Sequence, residues 1–418
     1  MEKRQVIVVG AGPGGSTAAF YLAKAGIDVL LVDQESWPRD KVCGDCQSPY
    51  AWKIYQEMGI FEEARAAAHT LLTGQQFSGM DEVITTYDVG TPTKRPISFI
   101  TRRYIIDDII RRAATEKAGV EFRENFHVTD LIMERGYVKG VKGVYNNAPI
   151  EIRADAVILA NGAHSKQAFK LGFISEDPEM VFYGARAYFK GVRGLPRTIF
   201  EEHYPERIFY PSGYVWLFSE GEDIANVGIY ITEQNLKDSG MRLEDFFWWW
   251  RDNTKIGKER LGEAELLGDI KGWRLPTCKQ VGDNYGNGVL AVGDCGNFIQ
   301  AHSGEGFAPA MNSGKVAAQV LAEALKKGDV SKEALSVYKP ALEKQEMLPG
   351  FTMKSYYTMM WLARTQICSD PETFDKFLKF SREQPDYPYG SASNVYMKFL
   401  KDVKGIDLGV GTLSVGGH

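Results

Sequence analysis

Cysteine is scarce in this chain of 418 residues, and its pattern argues against a disulfide framework. There are five cysteines, an odd number, and they are Cys43, Cys46, Cys278, Cys295 and Cys368. Secreted domains that depend on disulfides have dense and usually even-numbered cysteines. We therefore expect free thiols, as in a protein of a reducing compartment.

Long apolar runs are also missing. No stretch approaches the roughly 20 apolar residues that a membrane-spanning helix needs. The first residues lead directly into a strand and do not have the pattern of a signal peptide. We expect a cytoplasmic protein, with peripheral contact to a membrane left open.

A basic excess is missing as well. The formal net charge is −5, and both signs are spread along the chain. Nucleic-acid surfaces need clustered basic residues, so we expect no nucleic-acid partner. Hydrophobic residues make up 44% and charged residues 25%, which is typical of a globular protein large enough for two or three structural units.

What is present begins with the pattern of a strand, a turn, a helix and a second strand. An apolar run at 6–9 precedes the turn GAGPGGS, a helical stretch follows at 16–25, and a second apolar run covers 28–32. Both runs are continuously apolar, as in parallel strands that are covered on both faces. The segment therefore predicts a βαβ unit.

Three glycines in this unit match a dinucleotide-binding fingerprint. Gly10 permits the tight turn, Gly12 lets the backbone approach a pyrophosphate, and Gly15 lets the helix pack on the strand. Asp33 ends the second strand, where a carboxylate accepts hydrogen bonds from ribose hydroxyls. The order of these features predicts that the pyrophosphate of FAD lies at the helix N-terminus.

A second cofactor segment lies near residue 294. Gly293 and Asp294 end an apolar strand, and the sequence SGEGFAPAMNSGKVAA, which contains Gly304 and Gly306, opens a helix. This arrangement aims Asp294 at the ribityl-phosphate side of FAD and brings the helix N-terminus near the flavin N1 and C2 carbonyl. Together the two segments predict an FAD-dependent enzyme.

The remaining patterns predict an α/β fold with a Rossmann-type FAD-binding domain, a mostly antiparallel β-sheet substrate domain and a helical C-terminal region. We assign 1–71, 101–171 and 271–332 to the FAD-binding domain, 72–100 and 172–270 to the substrate-binding domain, and 333–418 to the helical region.

Beyond the two FAD segments, the sequence resembles the geranylgeranyl reductase family, whose members have the fold of p-hydroxybenzoate hydroxylase. The resemblance covers residues 1 to about 330. It includes the following segments: PRDKVCGD (38–45), RRYIID (102–107), GARAYFKGV (184–192), PSGYVWLF (211–218) and NVG (226–228).

The resemblance implies an FAD-dependent reductase that hydrogenates C=C bonds of an apolar, prenyl-type substrate in lipid metabolism. It also implies that Arg103 contacts FAD and that Cys43, Tyr214 and Trp216 face the substrate channel beside the flavin. The sequence departs from the family's pattern near the active-site face, at Asp45, in place of a glycine, and within FSEG (218–221), where the family has proline. Asn161 and Ala301 are further departures, so the substrate or the reaction can differ.

Several residues have both a functional and a structural interpretation. Cys43 and Cys46 have CxxC spacing, but no second ligand pair accompanies them, so we expect no metal; a redox dithiol or two small pocket residues remain. His302 is a candidate proton donor or a loop residue that bonds the backbone. We expect Glu305 to cap the following helix, and the aromatic run 246–250 to form core packing or a membrane contact.

Two other functions stay open at this point. One is a flavin-dependent monooxygenase or halogenase, because fold does not determine the reaction. The other is a non-catalytic prenyl-binding protein, although the presence of both FAD segments argues against it. No second nucleotide fingerprint is visible, so the external electron donor, NAD(P)H or ferredoxin, is not determined by the sequence.

Overall fold

The computed structural model describes residues 2–79, 82–88, 97–174, 180–205, 213–277, 282–301, 303–345, 371–383 and 392–406. Its strands are β1 (Glu2–Val9), β2 (Val29–Val32), β3 (Cys46–Gln47), β4 (Thr70–Leu72), β5 (Gly74–Gly79), β6 (Glu82–Asp88), β7 (Ser98–Ile100), β8 (Glu121–Arg123), β9 (His127–Glu134), β10 (Tyr137–Tyr145), β11 (Ala148–Leu159), β12 (Val181–Lys190), β13 (Ile199–Tyr204), β14 (Gly213–Ser219), β15 (Ile224–Thr232), β16 (Glu265–Pro276), β17 (Tyr285–Gly286) and β18 (Val289–Ala291).

The α-helices of the described residues lie mainly in the first half and after β18. They are α1 (Pro13–Lys24), α2 (Trp52–Glu57), α3 (Phe61–Ala66), α4 (Arg103–Arg112), α5 (Lys166–Lys170), α6 (Glu233–Ser239), α7 (Leu243–Asn253), α8 (Lys255–Leu261), α9 (Phe307–Lys326), α10 (Lys332–Leu335), α11 (Tyr338–Glu343), α12 (Pro371–Arg382) and α13 (Ala392–Lys404).

An eight-stranded sheet carries the first glycine turn. Its order is β17-β18-β11-β1-β2-β8, with β10 paired to β11 and β9 paired to β10. The strands β18, β11, β1, β2 and β8 are parallel, which brings their carboxyl ends to one edge. The turns after β1 and β18 therefore meet at the same edge of the sheet.

Both faces of this sheet are buried, as the continuous apolar runs predict. Val6 and Val8 pack in the core under α1 and α9, whereas Ile7 and Val9 point to the core under α5 and β10. Each fully buried side chain of this size stabilises the fold by about 1.5–3 kcal/mol.

A seven-stranded sheet forms the second layer. Its order is β16-β12-β15-β14-β13-β5-β6, antiparallel except for the parallel pair β13–β5. Val215 and Leu217 point to a core covered by α7. Because side chains alternate along a strand, Tyr214 and Trp216 point to the opposite face. A small third sheet, β3-β7-β4, lies beside these layers.

The aromatic run of α7 contributes mainly to this core. Phe246, Phe247 and Trp250 are buried under the seven-stranded sheet, and Trp248 and Trp249 pack partly against the same cluster. These contacts support the core interpretation of the run. Across the described ranges, no helix is long and apolar enough to cross a bilayer.

Candidate FAD and substrate site

The turn between β1 and α1 depends on two of its glycines for close contacts. Gly10 has a φ of +103°, and a Cβ there would lie 2.4 Å from the carbonyl oxygen of Ala160. A Cβ at Gly15 would lie 1.8 Å from the carbonyl oxygen of Gly10. A larger residue at either position would push the helix away from the sheet, so these glycines are structural requirements of the turn.

Gly12 is different, because space is open above it. A Cβ at Gly12 would have only an ordinary contact, 3.4 Å from Nη2 of Arg39. Gly12 is the N-cap of α1, whose N-terminus has no side-chain cap and no acidic residue in its first turn. Free backbone N–H groups beside a cation form a site for an anionic group such as a pyrophosphate.

Asp33 lies beside this turn, at the end of β2. Its two carboxyl oxygens accept hydrogen bonds from the backbone N–H of Ala11, at 2.7 Å, and of Glu35, at 2.9 Å. Burial raises the pKa of Asp33, while these bonds and Arg39 act in the opposite direction. Each oxygen keeps a lone pair that can accept a ribose hydroxyl.

The second predicted segment lies next to the first. Gly293–Gly296 forms a 3-10 turn after β18, and Gly293 has a φ of +59°. The helix α9 crosses α1 so closely that a Cβ at Gly314 would lie 2.3 Å from the carbonyl oxygen of Gly14. A Cβ at Gly306, the N-cap of α9, would lie 3.4 Å from Oδ1 of Asp294. Thus Asp294 and the N-terminus of α9 are neighbours.

Arginine side chains complete this edge. Asp107 accepts Nε and Nη2 of the buried Arg103, at 2.6 and 2.8 Å, and Nη1 of Arg39, at 3.0 Å. Arg103 also contacts the thiol of Cys43. The i, i+4 spacing of Arg103 and Asp107 explains the RRYIID segment, whereas Arg39 was not among the predicted site residues.

Lys41 was also not predicted. Its ammonium group stacks on the ring of Trp273, with Nζ 3.9 Å from the ring centroid. Asp294, Arg103 and Cys43 all act on it electrostatically. Burial lowers the pKa of Lys41 to about 8, with an opposing effect of Asp294. Both Arg39 and Lys41 belong to the PRDKVCGD segment, which was the available sequence signal.

These residues fit FAD. Gly12 and Arg39 would hold the pyrophosphate, Asp33 the adenosine ribose, and Asp294 the ribityl side, because each presents the backbone, charge or carboxylate that this part of the cofactor needs. Among the described residues, no group of three His, Cys, Asp or Glu side chains is placed to bind a metal ion.

An aromatic face of β14 points toward the loops of the FAD site. Tyr214 donates its hydroxyl to the carbonyl oxygen of Ser303, at 2.5 Å. A Cβ at Gly44 would lie 2.8 Å from Cε2 of Phe218 and 3.2 Å from Nε1 of Trp216. The predicted residues Tyr214, Trp216 and Cys43 are therefore brought to one region of the molecule.

Neighbouring strands hold these loops and rings in place. Tyr230 on β15 donates to the carbonyl oxygen of Ala301, at 2.9 Å, and its ring packs against Gly304, which has a φ of +68°. Asn226 accepts Nε1 of Trp216, at 2.9 Å, and donates to the carbonyl oxygen of Cys43, also at 2.9 Å. This explains the NVG segment. His302 lies outside the described residues.

The environment of Cys46 and Glu305 supports a structural interpretation of both. Cys43 and Cys46 are free cysteines. The Cys46 thiol lies 2.9 Å from the hydroxyl of Ser98, and burial raises its pKa to about 12, which disfavours the reactive thiolate. Glu305 accepts hydrogen bonds from Ser48 and from the backbone of Ala308 in the first turn of α9, as a capping residue does.

Comparison with known proteins agrees with this geometry. A family described as FAD binding domain matches residues 3–343. The chain is 30% identical over 341 residues to digeranylgeranylglycerophospholipid reductase 2 of Methanococcoides burtonii, and the match covers 80% of this chain and 78% of that protein.

Solved structures show the same fold at lower identity. A geranylgeranyl bacteriochlorophyll reductase-like protein from Thermoplasma acidophilum superposes with a TM-score of 0.81 at 24% identity, covering 96% of each chain. A flavin-dependent brominase superposes with a TM-score of 0.71 at 20% identity, covering 96% of this chain and 99% of that one. At these identities the likeness concerns the fold alone.

Proposed function

The chain belongs to the geranylgeranyl reductase family of FAD-dependent oxidoreductases, and on this premise we propose that it saturates C=C bonds in the prenyl chains of an apolar lipid. The family, the fold class and the FAD cofactor predicted from the sequence are thereby confirmed. The substrate, the roles of individual residues and the electron donor are parts of the proposal.

One observation carries the proposal beyond family membership. The aromatic side chains Tyr214, Trp216 and Phe218 form one face of β14, and that face meets the Cys43–Gly44 turn and the loop before α9. These side chains are buried and offer rings, not charges, to a ligand beside the flavin. A prenyl chain has the matching chemistry, because it is apolar and makes no hydrogen bonds.

Reduced FAD, when bound, supplies the hydride for an alkene. The chain's own residues would position the substrate and exclude water. Tyr214 fixes the loop that precedes α9 through its bond to Ser303, and Trp216 is fixed by its bond to Asn226. Because an isolated alkene is a poor hydride acceptor, such placement has to account for much of the rate.

The proton that completes the reduction would come from an acid near this face. Glu202, directly opposite Trp216 on the neighbouring strand, acts electrostatically on Tyr214. Burial raises the pKa of its carboxyl group to about 7, so it is partly protonated at neutral pH. A general acid works best when its pKa is close to the working pH.

Electrons would reach the flavin from an external donor, NAD(P)H or a ferredoxin. The lipid substrate would be taken up from a membrane surface without a spanning helix, so the chain would act at the membrane periphery. The partly exposed ring of Trp248 is the part of α7 that we propose for such a contact.

A single experiment tests the function. Purified protein is reduced without oxygen and then mixed, in separate runs, with a geranylgeranyl-chain glycerophospholipid and with dissolved oxygen, a bromide salt and the same lipid. We expect flavin reoxidation by the lipid alone and a product heavier by two hydrogens per double bond. An oxygenated or halogenated product without any saturated one would reject the reductase in favour of an oxygen-using enzyme.

A further inference from the structure

Two buried carboxyl groups face each other where the Cys43–Asp45 turn meets the seven-stranded sheet. Asp45 belongs to the turn, and Glu220 directly follows β14. Each group interacts with the other through its side chain. Carboxylates repel each other in a buried site, so this pair requires a physical explanation.

Both carboxyl oxygens of Asp45 accept hydrogen bonds. One oxygen accepts the Tyr188 hydroxyl at 2.6 Å and the Asn226 amide at 2.8 Å, and the other accepts the backbone N–H of Arg103 at 3.1 Å. Burial raises the pKa of Asp45, but these donors and Arg186 oppose that effect, because they favour the ionised form of a carboxyl group. We therefore assign the negative charge to Asp45.

In Glu220, one of the two carboxyl oxygens accepts a hydrogen bond from a described residue and the other does not. Its Oε2 accepts Nε of Arg102 at 2.7 Å. Its Oε1 is buried and, within the described part of the chain, receives no hydrogen bond from any donor. If Oε1 carried a proton, it would donate a hydrogen bond to Asp45. That bond would satisfy Oε1, and the two carboxyl groups would no longer repel each other because only one of them would be charged.

The backbone supports a specific role for Asp45. Its φ is +62°, in the left-handed region where glycine is the favoured residue. Asp45 is also one of the positions where the sequence departs from the family's glycine. A carboxylate that keeps a strained conformation in a buried turn indicates that its hydrogen bonds are needed there.

We propose that Asp45 and Glu220 share one proton, and that this proton clamps the Cys43–Asp45 turn to the strand that carries Trp216. The two acids would be positioning residues of the active site. Asn226 connects the two acids to the active site. Its amide nitrogen donates to Asp45 and to the carbonyl oxygen of Cys43, and its amide oxygen accepts a hydrogen bond from Nε1 of Trp216.

The charges around the pair determine the pH at which the clamp opens. Burial and the charge of Asp45 raise the pKa of Glu220 to about 8, although Arg102 opposes them. Arg186 lies beside Asp45 and favours its ionised form. His69 faces Arg102. Below about pH 8 the proton is present, and above this pH two facing carboxylates would loosen the turn.

The test compares FAD-loaded wild type with the variant Glu220→Gln between about pH 6 and 10. Difference infrared spectroscopy follows the protonated carboxyl group directly, and thermal unfolding follows the clamp. Turnover of a prenyl lipid is a third readout, and only this one depends on the proposed function. We expect wild type to lose a carboxylic acid band near pH 8 that Glu220→Gln does not lose. Carboxyl groups with a pKa of about 7, such as Glu202, titrate in both proteins. At pH 9 wild type should therefore turn over about tenfold more slowly than Glu220→Gln, because about one wild-type molecule in ten then keeps the proton.

Glu220→Gln should lack this band and show no transition near pH 8, because its amide is a permanent neutral donor to Asp45. Asp45→Gly provides a second variant that suits the backbone, since glycine adopts a positive φ without strain; it should also lose the transition. Glu222→Gln, at an exposed position in the turn between β14 and β15 that also holds Glu220, is the matched control and should behave as wild type.

The outcomes separate the two proposals. A transition near pH 8 that persists unchanged in Glu220→Gln, by infrared and by melting, overturns the shared proton. Loss of the transition with unchanged pH dependence of turnover overturns the positioning role. If no variant reduces any prenyl lipid while the infrared and melting results are as expected, the clamp stands and the proposed function fails.

Discussion

Trp216 lies flat across Gly228, the residue directly opposite it on the neighbouring strand. A Cβ at position 228 would lie 1.9 Å from Cζ2 of the indole ring. The glycine therefore makes room for the ring, and Asn226, two residues earlier on the same strand, bonds the indole Nε1. Strand β15 thus determines where the Trp216 ring lies relative to the Cys43–Gly44 turn.

We predict that Gly228→Ala displaces Trp216 and lowers stability by about 1–3 kcal/mol, as overpacking does in a core. Thermal unfolding and tryptophan fluorescence would measure the two effects. Turnover should fall while FAD remains bound, because the three atoms nearest to the added Cβ all belong to the Trp216 ring and none to the glycine turn of the cofactor site. Gly272→Ala on β16 is the control: its Cβ would be 3.4 Å from Leu243, an ordinary contact. Equal behaviour of the two variants would argue against the role of Gly228.

The glycines of the first turn should separate folding from cofactor binding. In Gly12→Val the new side chain enters the space that the pyrophosphate needs, and its Cβ has an ordinary contact with the flexible end of Arg39. We expect folded but colourless protein, with FAD affinity at least about tenfold lower, equivalent to 1.4 kcal/mol. Absorbance of the bound flavin and circular dichroism measure both properties.

Gly15→Ala is the informative contrast. Its Cβ would lie 1.8 Å from the carbonyl oxygen of Gly10, so this variant should lose about 3 kcal/mol of stability whether or not FAD is bound. Normal FAD occupancy in Gly12→Val would show that the pyrophosphate lies elsewhere.

The fold around the cofactor edge could be predicted from the sequence because it is encoded within short segments, whereas the roles of its residues in binding FAD stay predictions. The turn around Gly10, Gly12 and Gly15, the carboxylate of Asp33 and the turn at Gly293 each follow from the order of strand, glycine and helix in about thirty residues or fewer. Their roles need only local backbone geometry, and that geometry has a recognisable residue pattern.

What the sequence did not predict depends on residues that are distant along the chain. Glu220 meets Asp45 only because β14 packs on the Cys43–Asp45 turn, and Arg39 faces Gly12 only because Asp107 holds its side chain. No spacing rule connects such pairs. The PRDKVCGD segment indicated that its charges matter, but the structure is needed to assign a partner to each of them.

Two adjacent acids on β13 should respond to pH in opposite ways. Glu201 accepts both Nε and Nη2 of Arg260, and its hydrogen bonds to His203 and Arg260 outweigh burial and lower its pKa. Glu202, on the opposite face, has a pKa raised to about 7 by burial. A carboxyl group whose pKa is lowered in the folded state, such as Glu201, stabilises the fold at pH values above its unfolded pKa. A carboxyl group whose pKa is raised in the folded state, such as Glu202, makes the free energy of unfolding fall as the pH rises from about 4.5 to 7.

Glu202→Gln should therefore melt higher than wild type at pH 8 and lose that advantage at pH 5. Glu201→Gln should melt lower than wild type at pH 8. Its free energy of unfolding should be lower by about 1–3 kcal/mol, because the substitution leaves Arg260 without its charged partner. Thermal unfolding at the two pH values measures both variants. Two variants that shift in the same direction at pH 8 would contradict the assignment of the raised pKa to Glu202.

The last prediction concerns Cys43, whose thiol contacts Arg103 and whose carbonyl oxygen accepts Asn226. The backbone bond survives in Cys43→Ala, so the turn and the FAD site should keep their shape while the thiol contact is lost. We expect FAD occupancy and melting temperature close to wild type and a fall in turnover of at least about tenfold, equivalent to about 1.4 kcal/mol of transition-state stabilisation. Cys46→Ala is the matched control: its thiol bonds the hydroxyl of Ser98, so turnover should remain. Wild-type turnover in Cys43→Ala, or an equal loss in both variants, would remove Cys43 from the active site.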